Sequence, residues 1–118
     1  MSKKLLYHNP RWSKSRGAVQ LLEQYVSDFT IIEYLKNPLS KEEILHLSKK
    51  LDKRPKEFIR KSEPEYKNNN IVSYLEDDNK LAGSIEKFPK IMERPIFVNG
   101  EKAVVGRPPE NILTLLDE

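Results

Sequence analysis

Leu5-Leu6-Tyr7-His8-Asn9-Pro10-Arg11-Trp12-Ser13-Lys14-Ser15-Arg16 joins a short apolar run to the start of a helical pattern across a turn at Asn9-Pro10. The run Leu5 to Tyr7 suits a buried strand, and the Asn-Pro pair ends it. From Ser13 onward Ala18, Leu22 and Tyr25 recur at helical spacing, with Val19 and Val26 beside them, so a helix begins just after the turn and buries that face. Phe29 to Leu35 is rich in Ile and aromatic residues and is closed by Asn37-Pro38, which predicts a second strand. A strand, a helix and a second strand form a βαβ unit, whose strands should be parallel and joined by a right-handed crossover.

Outward from that unit, Ser40 with Glu43 makes a capping box, and Ile44, Leu47 and Leu51 continue the stripe of a second helix. The stretch from Pro55 to Asn70 is polar and broken by proline, which predicts short helical turns around Phe58-Ile59 and Tyr66 and a loop at Asn68-Asn69-Asn70. Leu81, Ile85 and Phe88 mark another helix ending before Pro89. Pro95 to Val98, Asn99-Gly100 and Lys102 to Val105 then predict a hairpin around a type I′ turn, with the third strand starting at Pro95. Pro108-Pro109 opens a last helix carrying Ile112, Leu115 and Leu116. The order β-α-β, helical stretch, β-β-α predicts an α/β fold of thioredoxin-like topology. Its four-stranded mixed sheet has helices on both faces and a helical insertion, about residues 38–90, between the second and third strands. One domain spanning 1–118 is the expectation at this length.

Composition removes several classes of chemistry. The chain has no cysteine, so disulfides, thiolate metal sites, redox couples and thiol nucleophiles are excluded. With 21 Lys and Arg against 18 Asp and Glu the net charge is only +3, too small and interspersed for a nucleic-acid footprint, and no direct nucleic-acid contact is expected. The apolar run at Leu5 to Tyr7 is too short for a signal core or a membrane span, so a cytoplasmic protein that does not engage membrane is expected.

The segment His8 to Arg16 connects a strand end to a helix start, where orphan backbone N-H groups and the positive end of the helix dipole favour an anion. His8-Asn9-Pro10-x-x-Ser13-x-Ser15-Arg16 resembles the active-site loop of the ArsC family, glutaredoxin-dependent arsenate reductases in the ArsC/Spx superfamily. Glu33-Tyr34-Leu35-Lys36, Ile59-Arg60-Lys61, Glu93-Arg94-Pro95-Ile96 and Gly106-Arg107-Pro108-Pro109-Glu110 fit the same family. The resemblance runs from Leu5 to about Leu116. It implies a cysteine in the loop that attacks arsenate, with glutathione and glutaredoxin as reductants, but Trp12 stands at that position. The resemblance also implies that Arg60, Arg94 and Arg107 surround the substrate oxyanion, and that the Arg94-Pro95 bond is cis. Guanidinium forks suit arsenate, phosphate or sulfate.

An indole cannot act as the thiolate does, and an unactivated Ser13 or Ser15 would need a base within hydrogen-bond reach and would still lack the redox role. No catalytic residue is therefore intact. His8, which the resemblance places beside the thiol, reads more simply as a loop residue bonded to backbone. His46 reads as solvated, without metal partners at suitable spacing. Lys49, Lys50, Lys53, Arg54 and Lys56 form a basic cluster that is either a solvated face or a contact for an acidic partner. Trp12 either anchors a partner or packs over the vacated pocket. The expectation is an arsenate-reductase-like protein, impaired or inactive, that binds no cofactor of its own and retains a pocket for a small oxyanion or glutathione. The alternative is a non-enzymatic interaction protein of the Spx type with a protein partner, although Pro10-Arg11-Trp12-Ser13 lacks the Cys-x-x-Cys common in that branch. A monomer is expected.

Overall fold

The computed structural model describes residues 4–26 and 28–116, and divides into a sheet unit, residues 1–37 with 94–118, and a helical unit, residues 38–93. In the sheet unit β1 (Lys4–His8), α1 (Ser13–Tyr25) and β2 (Thr30–Glu33) form the predicted βαβ element. The hairpin β3 (Ile96–Asn99) and β4 (Lys102–Val105) completes the sheet. The order is β2-β1-β3-β4, with β1 parallel to β2 and antiparallel to β3. This is the four-stranded mixed sheet expected from the sequence. Leu6, opposite Phe97, packs with Ala18 and Leu22 of α1 and with Ile112 and Leu115, so one face of the sheet is sealed by residues the helical spacing had singled out. Leu6, Ala18, Leu22, Phe97 and Ile112 are fully buried, and at roughly 1.5–3 kcal/mol for each large apolar side chain this cluster is a main source of the unit's stability.

Several boundaries differ from the sequence reading. The second strand ends at Glu33 rather than Leu35, because the Glu33 carbonyl accepts bonds from the amides of Lys36 and Asn37, both at 3.0 Å, and turns the chain. The third strand begins at Ile96, since Pro95 has no N-H to give the ladder. Asn99 pairs with Lys102, so the two-residue turn is Gly100-Glu101, one position later than expected, and of the two only Gly100 has a positive φ, 65°. Positive φ at the first central residue alone is the signature of a type II′ turn, which replaces the expected type I′. The last helix is a 3₁₀ segment, Pro109–Leu115, whose ends carry three-residue bonds from Asn111 to Pro108 and from Leu116 to Leu113.

In the helical unit α2 (Lys41–Leu51) begins at Ser40 with both halves of the capping box formed, and its buried stripe is Ile44, Leu47 and Leu51. It packs against α4 (Asp78–Lys87), which buries Leu81, Ala82 and Ile85. Between them lie a 3₁₀ turn, Pro55–Phe58, the short α3 (Pro64–Asn68) and a second 3₁₀ turn, Ile71–Tyr74, where helical turns and a loop were expected. Arg54 bonds Asp78 through Nε and Nη2 and Glu76 through Nη1, and Lys56 reaches Glu76 at 2.7 Å. Part of the basic cluster thus ties the 55–58 turn to the start of α4. No described helix is long and apolar enough to cross a membrane.

Candidate functional site

The loop between β1 and α1 is built on one buried hydroxyl. Ser15, in the first turn of α1, is fully buried, and its Oγ accepts the amide N-H of Asn9 at 3.0 Å. The same oxygen shares a 2.7 Å hydrogen bond with Nδ1 of His8. The Asn9 side chain in turn accepts the Arg11 amide, the Asn9 carbonyl accepts the Trp12 amide, and Arg16 Nη1 donates to the Pro10 carbonyl at 2.9 Å. Each residue of the turn is therefore fixed from inside, and the expected His8 contact with backbone is replaced by one with the Ser15 side chain. Burial pushes the His8 imidazole below its ordinary value near 6.5, with Glu33 opposing and Arg16 reinforcing that shift.

Trp12 occupies the N-cap of α1 in extended conformation, and its side chain makes no capping hydrogen bond. Serine, threonine, aspartate or asparagine at this place would have satisfied one of the orphan amides. The first turn also contains no acidic residue to meet the positive end of the dipole.

Arg94 and Arg107 come to this helix end from either side of the hairpin. The Gly106 amide donates to the Pro95 carbonyl at 2.8 Å, which ties the residue before Arg107 to the residue after Arg94. A Cβ on Gly106 would lie 3.1 Å from Ile112 Cδ1 and 3.2 Å from Pro95 Cγ, so glycine is what lets the two segments close up here. The Arg94-Pro95 peptide is cis, as the family resemblance implies, and so is Arg107-Pro108.

Trp12, Ser13, Ser15, Arg94 and Arg107 line a cavity of about 170 Å³, with no carboxylate in its wall. Arg94 is only 3% exposed, and its guanidinium carbon lies 3.8 Å from the centroid of the indole ring of Trp12, in cation-π geometry. Trp12 remains 43% exposed. The indole thus does part of both things the sequence left open: it packs over Arg94, yet it presents surface to solvent and leaves the cavity open.

Arg60 belongs to the helical unit. There its amide donates to the Ile91 carbonyl, and its guanidinium faces Glu63 at 3.4 Å and Glu93 at 3.5 Å. His46 is exposed on α2, and no group of three His, Cys, Asp or Glu residues suited to a metal ion occurs among the described residues. Two features escaped sequence reasoning: the Trp12 stack on Arg94, which no local spacing encodes, and the Gly106 contact, whose only signal was a glycine beside Arg107.

Comparison with known proteins identifies the family and the fold. The sequence model of the ArsC family matches residues 7–115. The chain is 35% identical to an arsenate reductase of Haemophilus influenzae over 95% of its own length and 97% of the relative's. It is 36% identical to the uncharacterized protein YfgD of Escherichia coli, covering 94% of each. Among solved structures, an arsenate reductase from Vibrio cholerae superposes with a TM-score of 0.90 at 35% identity, covering 96% of this chain and 97% of that one. A family model matching residues 7–115, with a relative 35% identical over nearly the whole chain, leaves one conclusion: the chain belongs to the ArsC family, with Trp12 where the family has its catalytic cysteine.

Proposed function

We propose that this protein binds a tetrahedral oxyanion such as arsenate, phosphate or sulfate in the cavity at the start of α1 and does not reduce it. The observation that carries the reading is the persistence of a positively charged cavity around a residue that cannot be a nucleophile. Arg94, Arg107 and the first turn of α1 supply charge-assisted donors, and Ser13 adds a hydroxyl. Reduction by the family route needs a thiolate to attack arsenic and then to be freed by glutathione and glutaredoxin, and a chain without cysteine has no thiol for either step.

The test uses the single tryptophan of the chain. Trp12 fluorescence should respond saturably to arsenate, phosphate or sulfate, and arsenate should show no turnover above background with glutathione and glutaredoxin supplied. Steady turnover overturns the inactivity. Absence of any saturable response, confirmed by calorimetry, overturns oxyanion binding in favour of a non-enzymatic interaction protein.

A further inference from the structure

We infer that the ligand of this cavity is an aryl phosphate, an oxyanion monoester whose ester oxygen carries a flat aromatic ring, with the anion inside and the ring stacked on Trp12. The inference rests on the oxyanion reading above and narrows it to a class of ligand. Size is the first argument. At about 170 Å³ the cavity is well below the ~300–1,000 Å³ of pockets that enclose whole drug-sized ligands. It is several times the ~30 Å³ share of one water in the liquid, which is room for a tetrahedral headgroup. Whatever the headgroup is attached to must leave through the mouth.

The mouth is the second argument. Trp12 lines the cavity and is 43% exposed, so a substituent emerging from the anion site meets an indole at once. The ring is not a loose surface aromatic. The guanidinium of the buried Arg94 lies 3.8 Å from its centroid, and its backbone is the N-cap of α1, so its orientation is set before any ligand arrives. A preorganised aromatic surface favours a flat, rigid partner, because little freedom is lost when the two stack. Stacking on aromatic side chains is worth ~1–3 kcal/mol per nucleic-acid base, and a phenyl ring at ~1.4 kcal/mol, in the lower half of that range, corresponds to about tenfold in affinity. Arg94 serves both parts of such a ligand, through charge toward the anion and through the ring it supports. With no nucleophile at position 12, the ligand is held without being consumed.

Calorimetric titration of the full chain with inorganic phosphate, methyl phosphate and phenyl phosphate tests this, in the native protein and in Trp12→Leu and Trp12→Phe. Phenyl phosphate should bind about tenfold more tightly than methyl phosphate to the native protein, its ring protons should shift upfield in NMR spectra, and Trp12→Phe should keep most of the preference. Trp12→Leu should lose it, the preference being read as the ratio of phenyl to methyl phosphate affinity within each variant. A tripeptide carrying phosphotyrosine separates the two sources of an aryl phosphate: binding as tight as phenyl phosphate points to a protein side chain, and tenfold weaker binding points to a free small molecule. If inorganic phosphate saturates but phenyl phosphate gains less than about twofold over methyl phosphate, or if Trp12→Leu keeps the full preference, the aryl inference is wrong and the oxyanion reading stands. If none of the three phosphates binds, both fall.

Discussion

Replacing Ser15 by alanine removes one oxygen atom and leaves two polar groups behind. The Oγ is bonded to the Asn9 amide at 3.0 Å and to His8 Nδ1 at 2.7 Å, and the three residues are 0%, 4% and 7% exposed. A buried donor or acceptor stripped of its partner costs about 1–3 kcal/mol, so about 1.5 kcal/mol for each of the two, in the lower half of that range, gives a loss of about 3 kcal/mol for Ser15→Ala. The void left by one oxygen adds little, because it is smaller than a methyl group. With an unfolding entropy of about 2.1 cal/mol/K per residue, a chain of 118 residues loses about 4 °C in Tm for each kcal/mol, and Tm should fall by about 12 °C. Thermal melts followed by circular dichroism at pH 7.5 measure this directly. The variant should also bind oxyanions more weakly, since the turn that presents the first amides of α1 is hung from this hydroxyl. A fall of less than about 4 °C would show that both orphaned groups recover other partners, and that Ser15 is not the fixed point of the loop.

Two further outcomes follow from the same site. Because burial lowers the folded-state affinity of His8 for a proton, its contribution is absent well above pH 6.5, where both states are neutral. As pH falls below about 6.5 the unfolded chain takes the proton first, so stability drops; the Tm of the native protein minus that of His8→Gln should shrink between pH 7.5 and pH 5, and a constant or growing difference refutes the buried imidazole. Trp12→Cys would place the chain's only thiol at the α1 N-cap beside Arg94 and Arg107, where dipole and charge should lower its pKa below the free value of about 8.5. The pH dependence of iodoacetamide alkylation reads that value, and a thiol titrating at or above it would mean the cavity is not electropositive. Full arsenate turnover need not return, since a reacting group displaced by about 1 Å can lose on the order of a hundredfold in rate.

The sheet unit was legible because its signals are local. The apolar run of β1, the spacing of Ala18 and Leu22 and the Asn99-Gly100 region each state an element by themselves, and the capping box at Ser40 states the start of α2. The errors lie where a distant partner or backbone geometry decides. Tyr34 and Leu35 have strand-forming side chains, yet the Glu33 carbonyl turns the chain before they can pair. The Asn-Gly pair was given a type I′ turn, but strand register moved the turn by one residue and left Asn99 free to donate from its side chain to the Leu115 carbonyl at 2.8 Å. In the site, the loop motif pointed to Ser15 and His8 but not to their bond, because seven residues apart across a strand end and a helix start is not a spacing that any single element fixes.

The loss of the thiol is compatible with the persistence of the cavity because different residues carry the two. The architecture of the loop runs through His8, Asn9 and Ser15 and, across the hairpin, through Gly106 and Pro95, and none of these bonds uses the side chain at position 12. That position is the half-exposed N-cap, where a nucleophile can be exchanged without opening the core. It is still not a neutral exchange. A guanidinium as buried as that of Arg94 is costly to keep from water, and an indole lying 3.8 Å away recovers part of that cost, up to about 2 kcal/mol for a desolvated cation-π pair. Trp12 is therefore tied to Arg94 energetically, as the cysteine it replaces would be tied to the anion chemically. A small side chain here would uncover Arg94, whereas the indole covers it and gives the mouth of the cavity an aromatic wall.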